Sequence, residues 1–516
     1  MRHLELRSGL YRDSVALMRI SANLTGSPGV RRALVAMATR VNLDLLTDLG
    51  IDPPGHAHPD DLLVAVVAED EPSLARALEL LDRQLHPPAG SPVHPGLSTR
   101  DGGVPAPRTT ASAARRVDGG IALISTPGAH AFVEAMDALD AGLSVMLFSD
   151  NVPLSQEVRL KEHATGLGLL VMGPDCGTAV VAGVGLGFAN VVRPGPVGLV
   201  AASGTGAQQV MALLAAAGVG VSHCLGVGGR DLSEVVGGRS THAALDALDA
   251  DPATELIVVL GKPGSARVAD ELRSHAARLA TPAVVAPLGD GSPDLTTVAE
   301  EVLTTLGAAV PAWPSWLPDP PPSARVAAQA LVPTTTHPPG WLHGLYGGGT
   351  LCVEAQLVVS PILGPVRSNT PLRPEWMIGG RAGPAVAEAP GHVLLDLGSD
   401  EYTVGRAHPV LDPAARLPLL ERAAGDPRVR VVLLDVVLGH GTHDDPASVI
   451  GPVIAAALAR DEPLAVVVTL VGTADDPQDL ARQATLLRDA GARVFLANAQ
   501  AARHAAALAS GGGGGR

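Results

Sequence analysis

The sequence predicts an α/β protein built from parallel, doubly wound sheets, and two observations carry that expectation. Apolar, strand-like runs alternate with helix-like stretches through most of the chain, the pattern of strand–helix–strand crossovers. The same order of elements then returns in a later stretch, which suggests an internal duplication. Composition adds how such units pack. Hydrophobic residues make up 46% of the 516 residues, but aromatic residues only 2%. The cores must therefore be filled by Ala, Val and Leu. A chain of this length exceeds one core and divides into several domains.

Residues 1–85 read as a small α/β unit, with "DDLLVAVVAED" a strand and "EPSLARALELLDRQL" a helix with apolar residues at helical spacing. Residues 86–115 are rich in Pro, Gly and Ser and read as a linker. In residues 116–195, "GGIALISTPG", "LSVMLFSD" and "LLVMGPD" are strands, separated by the helices "AHAFVEAMDALDAG" and "SQEVRLKEHATGLG". Ligands of doubly wound sheets sit at the carboxyl ends of the strands. Those ends carry Ser125, Thr126, Pro127 and Gly128, and Gly173, Pro174, Asp175, Cys176 and Gly177. Residues 196–310 and 341–505 repeat the alternation. "SGTGAQQ" in the first is matched by "GGGTLCVEAQ" in the second, and both place Asp-Pro shortly before an apolar strand. Overlaid copies are expected to set residues 203–206 on 347–350. A Pro-rich linker (311–340) separates them, and residues 506–516 read as a flexible tail.

Charge and cysteine usage narrow the function classes. Lys plus Arg number 37 against 52 for Asp plus Glu, a net charge of -15. That balance disfavours nucleic acid as a partner. Small anions are still admissible, because backbone amides at helix N-termini bind them without lysines. Cys176, Cys224 and Cys352 are too few and too far apart for a disulfide framework or a zinc cluster, and a reducing compartment follows. The N-terminus "MRHLELRSGLYRDSVALMRIS" carries charges throughout, unlike a secretory leader. The most apolar stretches are interrupted by Asp175, Arg230 or Gly and Pro before they reach membrane-spanning length. A cytoplasmic protein with no membrane partner is expected.

Several motifs carry candidate chemistry. Ser203, Gly204, Thr205 and Gly206 follow a strand and open a helix. The glycines let amides approach a phosphate at a helix end that carries about half a positive charge. The same residues also suit a plain serine cap with glycines for packing. Gly347, Gly348, Gly349 and Thr350 offer the same geometry in the second copy. Cys176 reads either as a nucleophile or as a structural thiol. His440 and His443 stand beside Asp444 and Asp445, where acid–base work, a metal or a structural loop pair all fit. With no third ligand in sight, no metal is expected. Asp400, Glu401 and Arg406 are charges in an apolar neighbourhood and read as a site or an interface.

"ISTPGAHAFVEAMDALDAG", "SQEVRLKEHATGLGLLVMGPDCG", "GPVGLVAASGTGAQQV", "GVGGRD" and "ALDADPATELIVVLGKPG" together resemble the α subunit of succinyl-CoA synthetase, from about residue 115 to 300. The whole chain resembles the FdrA proteins, through "RSGLYRDSVALM", "LYGGGTLCVEAQ", "DLGSDEYTVGRAHPVLD" and "LLDVVLGHGTHDDP". The resemblance implies a Rossmann-like CoA-binding domain at 116–195 and flavodoxin-like ligase domains at 196–310 and 341–505. It implies a phosphate at Ser203, Gly204, Thr205 and Gly206, and the matching geometry makes Gly348, Gly349 and Thr350 anion-binding candidates in the second copy. It also implies that Gly173, Pro174, Asp175 and Cys176 line a CoA site, to which Ser125, Thr126 and Pro127 are added as cofactor-binding candidates by their place at a strand's carboxyl end.

The departures matter. The synthetases phosphorylate a histidine in a loop matched here by "TPAVVAPLGDGSPDLTTVAEE", which has no histidine. A glutamate that orients that histidine is matched by Lys262. The nearest match to the glycine-rich turn that holds the CoA diphosphate is "TGSPG" at 25–29, and no ATP-grasp domain is visible. Three functions are implied. The first is an acyl-CoA synthetase-like subunit binding CoA or acyl-phosphate-type anions without a phosphohistidine. The second is a subunit of an oxamate carbamoyltransferase that handles carbamoyl phosphate in allantoin catabolism. The third is a non-catalytic scaffold. Lys262, His440 and His443 are the catalytic candidates, CoA the candidate cofactor, the nucleotide is left open, and partner subunits or a homo-oligomer are expected.

Overall fold

The computed structural model describes residues 1–85, 107–318, 339–378, 390–403 and 407–511, leaving out 9, 11–13, 40, 41, 44, 47–49, 55, 56, 59, 60 and 118 within those spans. The first unit runs β1 (Arg2–Arg7), α1 (Ser14–Thr25), β2 (Val30–Met37), β3 (Leu62–Ala68) and α2 (Glu71–Leu85). Its sheet, in the order β1-β3-β2, is antiparallel throughout. The central strand "LLVAVVA" is apolar at every position because both faces are covered. Leu62, Val64 and Val66 pack with Leu17, Leu24 and Leu81 of the helices. Leu63 and Ala65 meet Leu46 and Ile51 on the other face.

A short helix α3 (Thr110–Ala114) occupies the end of the expected first linker, whose residues 86–106 lie outside the described residues. Then come β4 (Ile121–Ile124), α4 (Gly128–Asp140), β5 (Ser144–Leu147), α5 (Leu154–Leu167) and β6 (Val171–Met172), a parallel sheet in the order β4-β5-β6. The next pair, β7 (Thr178–Val181) and β8 (Val184–Gly187), forms a hairpin. The boundary expected at 195 falls behind this hairpin, but the hairpin extends the following sheet, where Val180 pairs with Cys224.

That following unit contains β9 (Val197–Ala202), α6 (Gly204–Ala216), β10 (Val221–Gly226), α7 (Arg239–Asp249), β11 (Leu256–Gly261), α8 (Ala266–Ala276), β12 (Ala283–Pro287) and α9 (Leu295–Thr305). The last unit contains β13 (Ser315–Trp316), β14 (Trp341–Tyr346), α10 (Gly349–Leu363), β15 (Val366–Arg367), β16 (His392–Asp396), α11 (Asp400–Thr403), α12 (Leu417–Gly425), β17 (Val429–Val437), α13 (Pro446–Leu458), β18 (Ala465–Val471), α14 (Leu480–Asp489), β19 (Arg493–Phe495) and α15 (Asn498–Ala509).

The two sheets read β12-β11-β9-β10-β7-β8 and β13-β19-β18-β17-β14-β16-β15. In the first, β9 lies between β10 and β11 with β12 outside β11; in the second, β14 lies between β16 and β17 with β18 outside β17, the two-residue β15 lying at the edge beyond β16. This is the 2-1-3-4 order of a flavodoxin-like sheet, and β19 adds the fifth strand in the second copy. Two expected boundaries shift. The second linker is anchored at its start, since Trp313 is buried and Ser315–Trp316 pairs with β19. The C-terminal unit also runs on to Ala509, because α15 is still helical and buried beyond 505.

One apolar cluster joins the two sheets through four helices. It holds Val210 and Leu214 of α6, Val298 and Val302 of α9, Leu351 and Ala355 of α10, and Ala502 and Ala505 of α15. The alanines take the place of the missing aromatics, and their small side chains let the helices approach closely.

Candidate functional site

The first turns of α6 and α10 meet end to end. Ser203 caps α6, its Oγ accepting the Gly206 N–H at 3.0 Å. The same hydroxyl donates to Thr350 Oγ1 of the opposite copy at 2.6 Å. Glycine is required for this approach, since a Cβ on Gly348 would stand 2.9 Å from Thr205 Oγ1 and one on Gly206 3.0 Å from Thr350 Cγ2.

The register differs by one residue from the expected overlay. Gly348, not Gly347, is the cap of α10 and so corresponds to Ser203. The next interface pair agrees. Six residues after each cap stand Gln209 and Glu354, each reaching into the other copy. Glu354 accepts the N–H of Leu295, the first residue of α9, at 2.6 Å. Gln209 Oε1 accepts the N–H of Asn498, the first residue of α15, at 3.2 Å.

The two cradles are electrostatically unlike. In the second, Gly347 and Gly348 donate to Asp435 at 2.7 and 2.6 Å, and Arg416 Nη1 donates to the same carboxylate at 2.8 Å. A side chain of the sheet thus already sits where an anion would. In the first, Gly204 and Thr205 open the helix, and their N–H groups have no acceptor within it. Lys262, just past β11, brings its ammonium to the junction, 3.9 Å from Asp396 Oδ2. Asp396 is buried at the end of β16. Burial raises its pKa, and Lys262 pulls it back down. A side chain at Gly349 would collide with both Asp396 and Lys262. The N-terminus of α6 and the half-exposed ammonium of Lys262 are an arrangement suited to a phosphate-like anion.

The residues expected at a CoA site gather at the carboxyl ends of β4, β5 and β6. Thr126 O accepts from Ser149 Oγ, and Asp175 N–H donates to Ser149 O at 3.0 Å. Pro127 opens α4, and a Cβ on Gly173 would collide with Leu147 O. Pro174 approaches from the side, its carbonyl leaving no space for a side chain at Gly228. Thr126 Oγ1 is buried without a partner. Ser125 is half-buried beside it. Cys176 is a buried thiol, its pKa pushed up by burial and secondarily by Cys224, so it stays protonated. "TGSPG" lies instead at the C-terminal end of α1, where the helix dipole repels phosphate.

His440 and His443 follow β17. His440 is exposed and forms a backbone bridge with Ala189. His443 is half-buried; its N–H donates to Val410 O at 3.0 Å and its Nδ1 accepts from Asp445 N–H at 3.0 Å. Val410 in turn packs beside Gly347, which places His443 nearer the junction than His440. Glu401 is exposed, whereas Arg406 and the side chain of Asp400 lie outside the described residues. Among the described residues no group of three His, Cys, Asp or Glu could hold a metal ion, and no helix is long and apolar enough to cross a membrane.

Sequence reasoning missed Asp396, Asp435, Arg416, Gln209 and Glu354. A signal existed for two of them. "HVLLD" and "VVLLDVVLG" place an aspartate in a run that must be buried, and a buried carboxylate requires donors.

The fold and the paired helix N-termini define a duplicated, parallel α/β protein with two helix starts facing one another. A CoA-ligase family model matches residues 345–508, and a model described as "AllF, heavy metal-associated domain" matches residues 1–94. The chain is 35% identical to the protein YahF of Escherichia coli (strain K12) over 517 residues, covering 96% of this chain and 95% of YahF. It is 28% identical over 166 residues to subunit alpha 2 of the ADP-forming succinate–CoA ligase of Archaeoglobus fulgidus, 31% of this chain and 56% of that subunit. Among solved structures, the acetyl-coenzyme A synthetase 1 of Ca. Korarchaeum cryptofilum aligns over 76% of this chain and 83% of its own at 17% identity, with a TM-score of 0.27. The chain belongs to the FdrA-like family of the NDP-forming acyl-CoA synthetase superfamily. Its first unit does not fit a soft heavy metal. Residues 1–94 contain no cysteine, so the thiolates that favour such ions are missing.

Proposed function

We propose that the protein is a subunit that binds a preformed acyl phosphate, carbamoyl phosphate foremost, at the junction of α6 and α10, without a phosphohistidine. The observation that carries this reading is Lys262, poised beside two helix N-termini joined through Ser203 and Thr350. The match of residues 1–94 to the AllF domain supports a place in allantoin catabolism, and the FdrA resemblance suggests oxamate as the carbamoyl acceptor. The amides of Gly204 and Thr205 and the ammonium of Lys262 hold the phosphate oxygens. When the acceptor nitrogen bonds to the carbonyl carbon, the carbon–oxygen bond to phosphate breaks, its electron pair leaves on the phosphate, and the proton lost by the nitrogen passes to the departing phosphate. Charge grows where these donors already point.

CoA would supply a thiol as an alternative acyl acceptor, and Thr126 Oγ1, a buried hydroxyl without a partner, would face it at the ends of β4 and β6. Among the described residues no glycine-rich strand-to-helix turn precedes β4 to take its diphosphate, so no step is assigned through CoA. The scaffold reading has one observation in its favour, the Asp435 carboxylate filling the second cradle.

Thermal-shift titration with carbamoyl phosphate, acetyl phosphate, oxamate, CoA and ATP separates these readings, since a ligand of the native state raises its stability. Carbamoyl phosphate should stabilise the chain. Stabilisation by CoA and ATP alone would return it to the synthetase reading, and by none of the five to the scaffold reading.

A further inference from the structure

A cavity of about 290 Å³ opens between the loop ahead of α9, the flank of α10 and the side of α15. Leu288, Leu357 and Val358 supply apolar wall, and Asp294, Glu354 and Arg503 the charges. The loop belongs to the segment matched to the lost histidine loop.

We propose that the cavity is a binding site for a small primary ammonium with a short aliphatic body, and that Glu354 is its counter-charge. Three observations converge. First, the Arg503 guanidinium is bonded to Asp294 and reaches Glu354 only as a weaker through-space attraction. Second, Glu354 meets only donors. Oε1 accepts from Leu295 N–H at 2.6 Å and Oε2 from Asn498 Nδ2 at 2.7 Å, each oxygen keeping a second lone pair. Third, Gln209 makes the corresponding contact in the other copy with a neutral amide. The interface therefore does not need a charge at this position, and the carboxylate serves another purpose.

The lining settles the kind of cation. It contains no aromatic ring, so a quaternary ammonium has nothing to stack on. Its apolar wall cannot replace the oxygen shell of Mg²⁺ or Ca²⁺. Burial raises Glu354 to about 7, against the pull of Asn498. The other ionisable groups around it are Asp294, Arg503 and the buried Tyr346 hydroxyl. A cation would complete a charge that the protein alone leaves poorly compensated. The inference is independent of the acyl-phosphate reading.

Isothermal titration of the full chain with n-butylammonium tests it, with sodium butyrate as comparator. Butylammonium should bind, and about tenfold more tightly at pH 8 than at pH 6, because the carboxylate is ionised only at the higher pH. Glu354→Gln should abolish both the binding and its pH dependence. Val358→Phe fills the cavity without touching the Glu354 contacts and should abolish binding even if the first variant fails to fold. Butyrate binding as well as butylammonium, undiminished binding in either variant, or no binding by the parent chain would overturn the proposal.

Discussion

Lys262→Glu tests the acyl-phosphate junction most directly, because its effects on binding and on stability differ in size. Two unit charges about 4 Å apart attract by about 4 kcal/mol at an effective dielectric constant near 20. The pair formed by Lys262 and Asp396 is looser than that figure suggests. The separation is 3.9 Å and the lysine side chain is 41% exposed, so water screens it. Exposed pairs contribute about 1 kcal/mol or less. Stability should fall by the lost pair and by the like charge now set against Asp396, a cost that protonation of Asp396, already raised by burial, relieves. A bound phosphate instead loses a charge-assisted contact of about 1.5–3 kcal/mol and gains a repulsive neighbour. Binding of inorganic phosphate or carbamoyl phosphate should weaken at least tenfold, equivalent to about 1.4 kcal/mol. Isothermal titration measures the first quantity and urea unfolding the second. Anion affinities within twofold of the parent chain would refute the role of Lys262, whatever happens to stability.

Three further outcomes are expected. Lys161, 1% exposed, holds Glu157 at 2.9 Å and Asp231 at 2.7 Å across the contact of α5 with the next unit. Lys161→Met leaves Asp231 a buried carboxylate without a cation and Glu157 with Arg230 alone, at 2.9 Å, and should cost about 3 kcal/mol in urea unfolding. Glu354 is raised from its ordinary 4.5 to about 7, so the stability it contributes is full below pH 4.5 and is lost as the pH rises through 7. That loss amounts to about 3 kcal/mol. The difference in urea midpoint between the parent and Glu354→Gln should thus change between pH 4.5 and pH 8 in favour of the variant, and a pH-independent difference would contradict it. Incubation with γ-labelled ATP, with or without succinate and CoA, should leave no acid-labile phosphohistidine; label mapped to His440 or His443 would restore the synthetase reading.

The parallel sheets were legible because their strands are continuous apolar runs such as "LIVVLG" and "VRVVLLDVV", separated by helices of the usual length. The hairpin of β7 and β8 was hidden. Val184–Gly187 is largely solvent-exposed and glycine-containing, so nothing in its pattern marks it as the edge of the next sheet. The short strand Ser315–Trp316 was hidden inside a proline-rich stretch for a similar reason, since its pairing with β19 depends on a partner almost two hundred positions away. The two glycine loops were legible as helix starts. That they face one another was not, because neither copy alone contains the contact of Ser203 with Thr350.

The asymmetry between the copies argues for one anion at the junction rather than two. Leu345 pairs with Leu434, and one step further along these parallel strands Tyr346 stands beside Asp435. Tyr346 lies two residues before the cap Gly348. In the first copy Ala201 lies two residues before the cap Ser203 and pairs with Leu260. Leu260 therefore occupies the position of Asp435, and both are 1% exposed. The duplicated sheet carries a carboxylate behind one glycine loop and a leucine behind the other. The carboxylate satisfies the amides of Gly347 and Gly348 and repels any anion that approaches them. The leucine leaves the first turn of α6 without an internal anion, and two residues beyond it the same strand end supplies Lys262. On the proposed acyl-phosphate reading, a phosphate is attracted from the α6 side of the junction and refused by the other. An acyl phosphate held this way has its phosphate on the α6 side, with its acyl carbon free to face an acceptor.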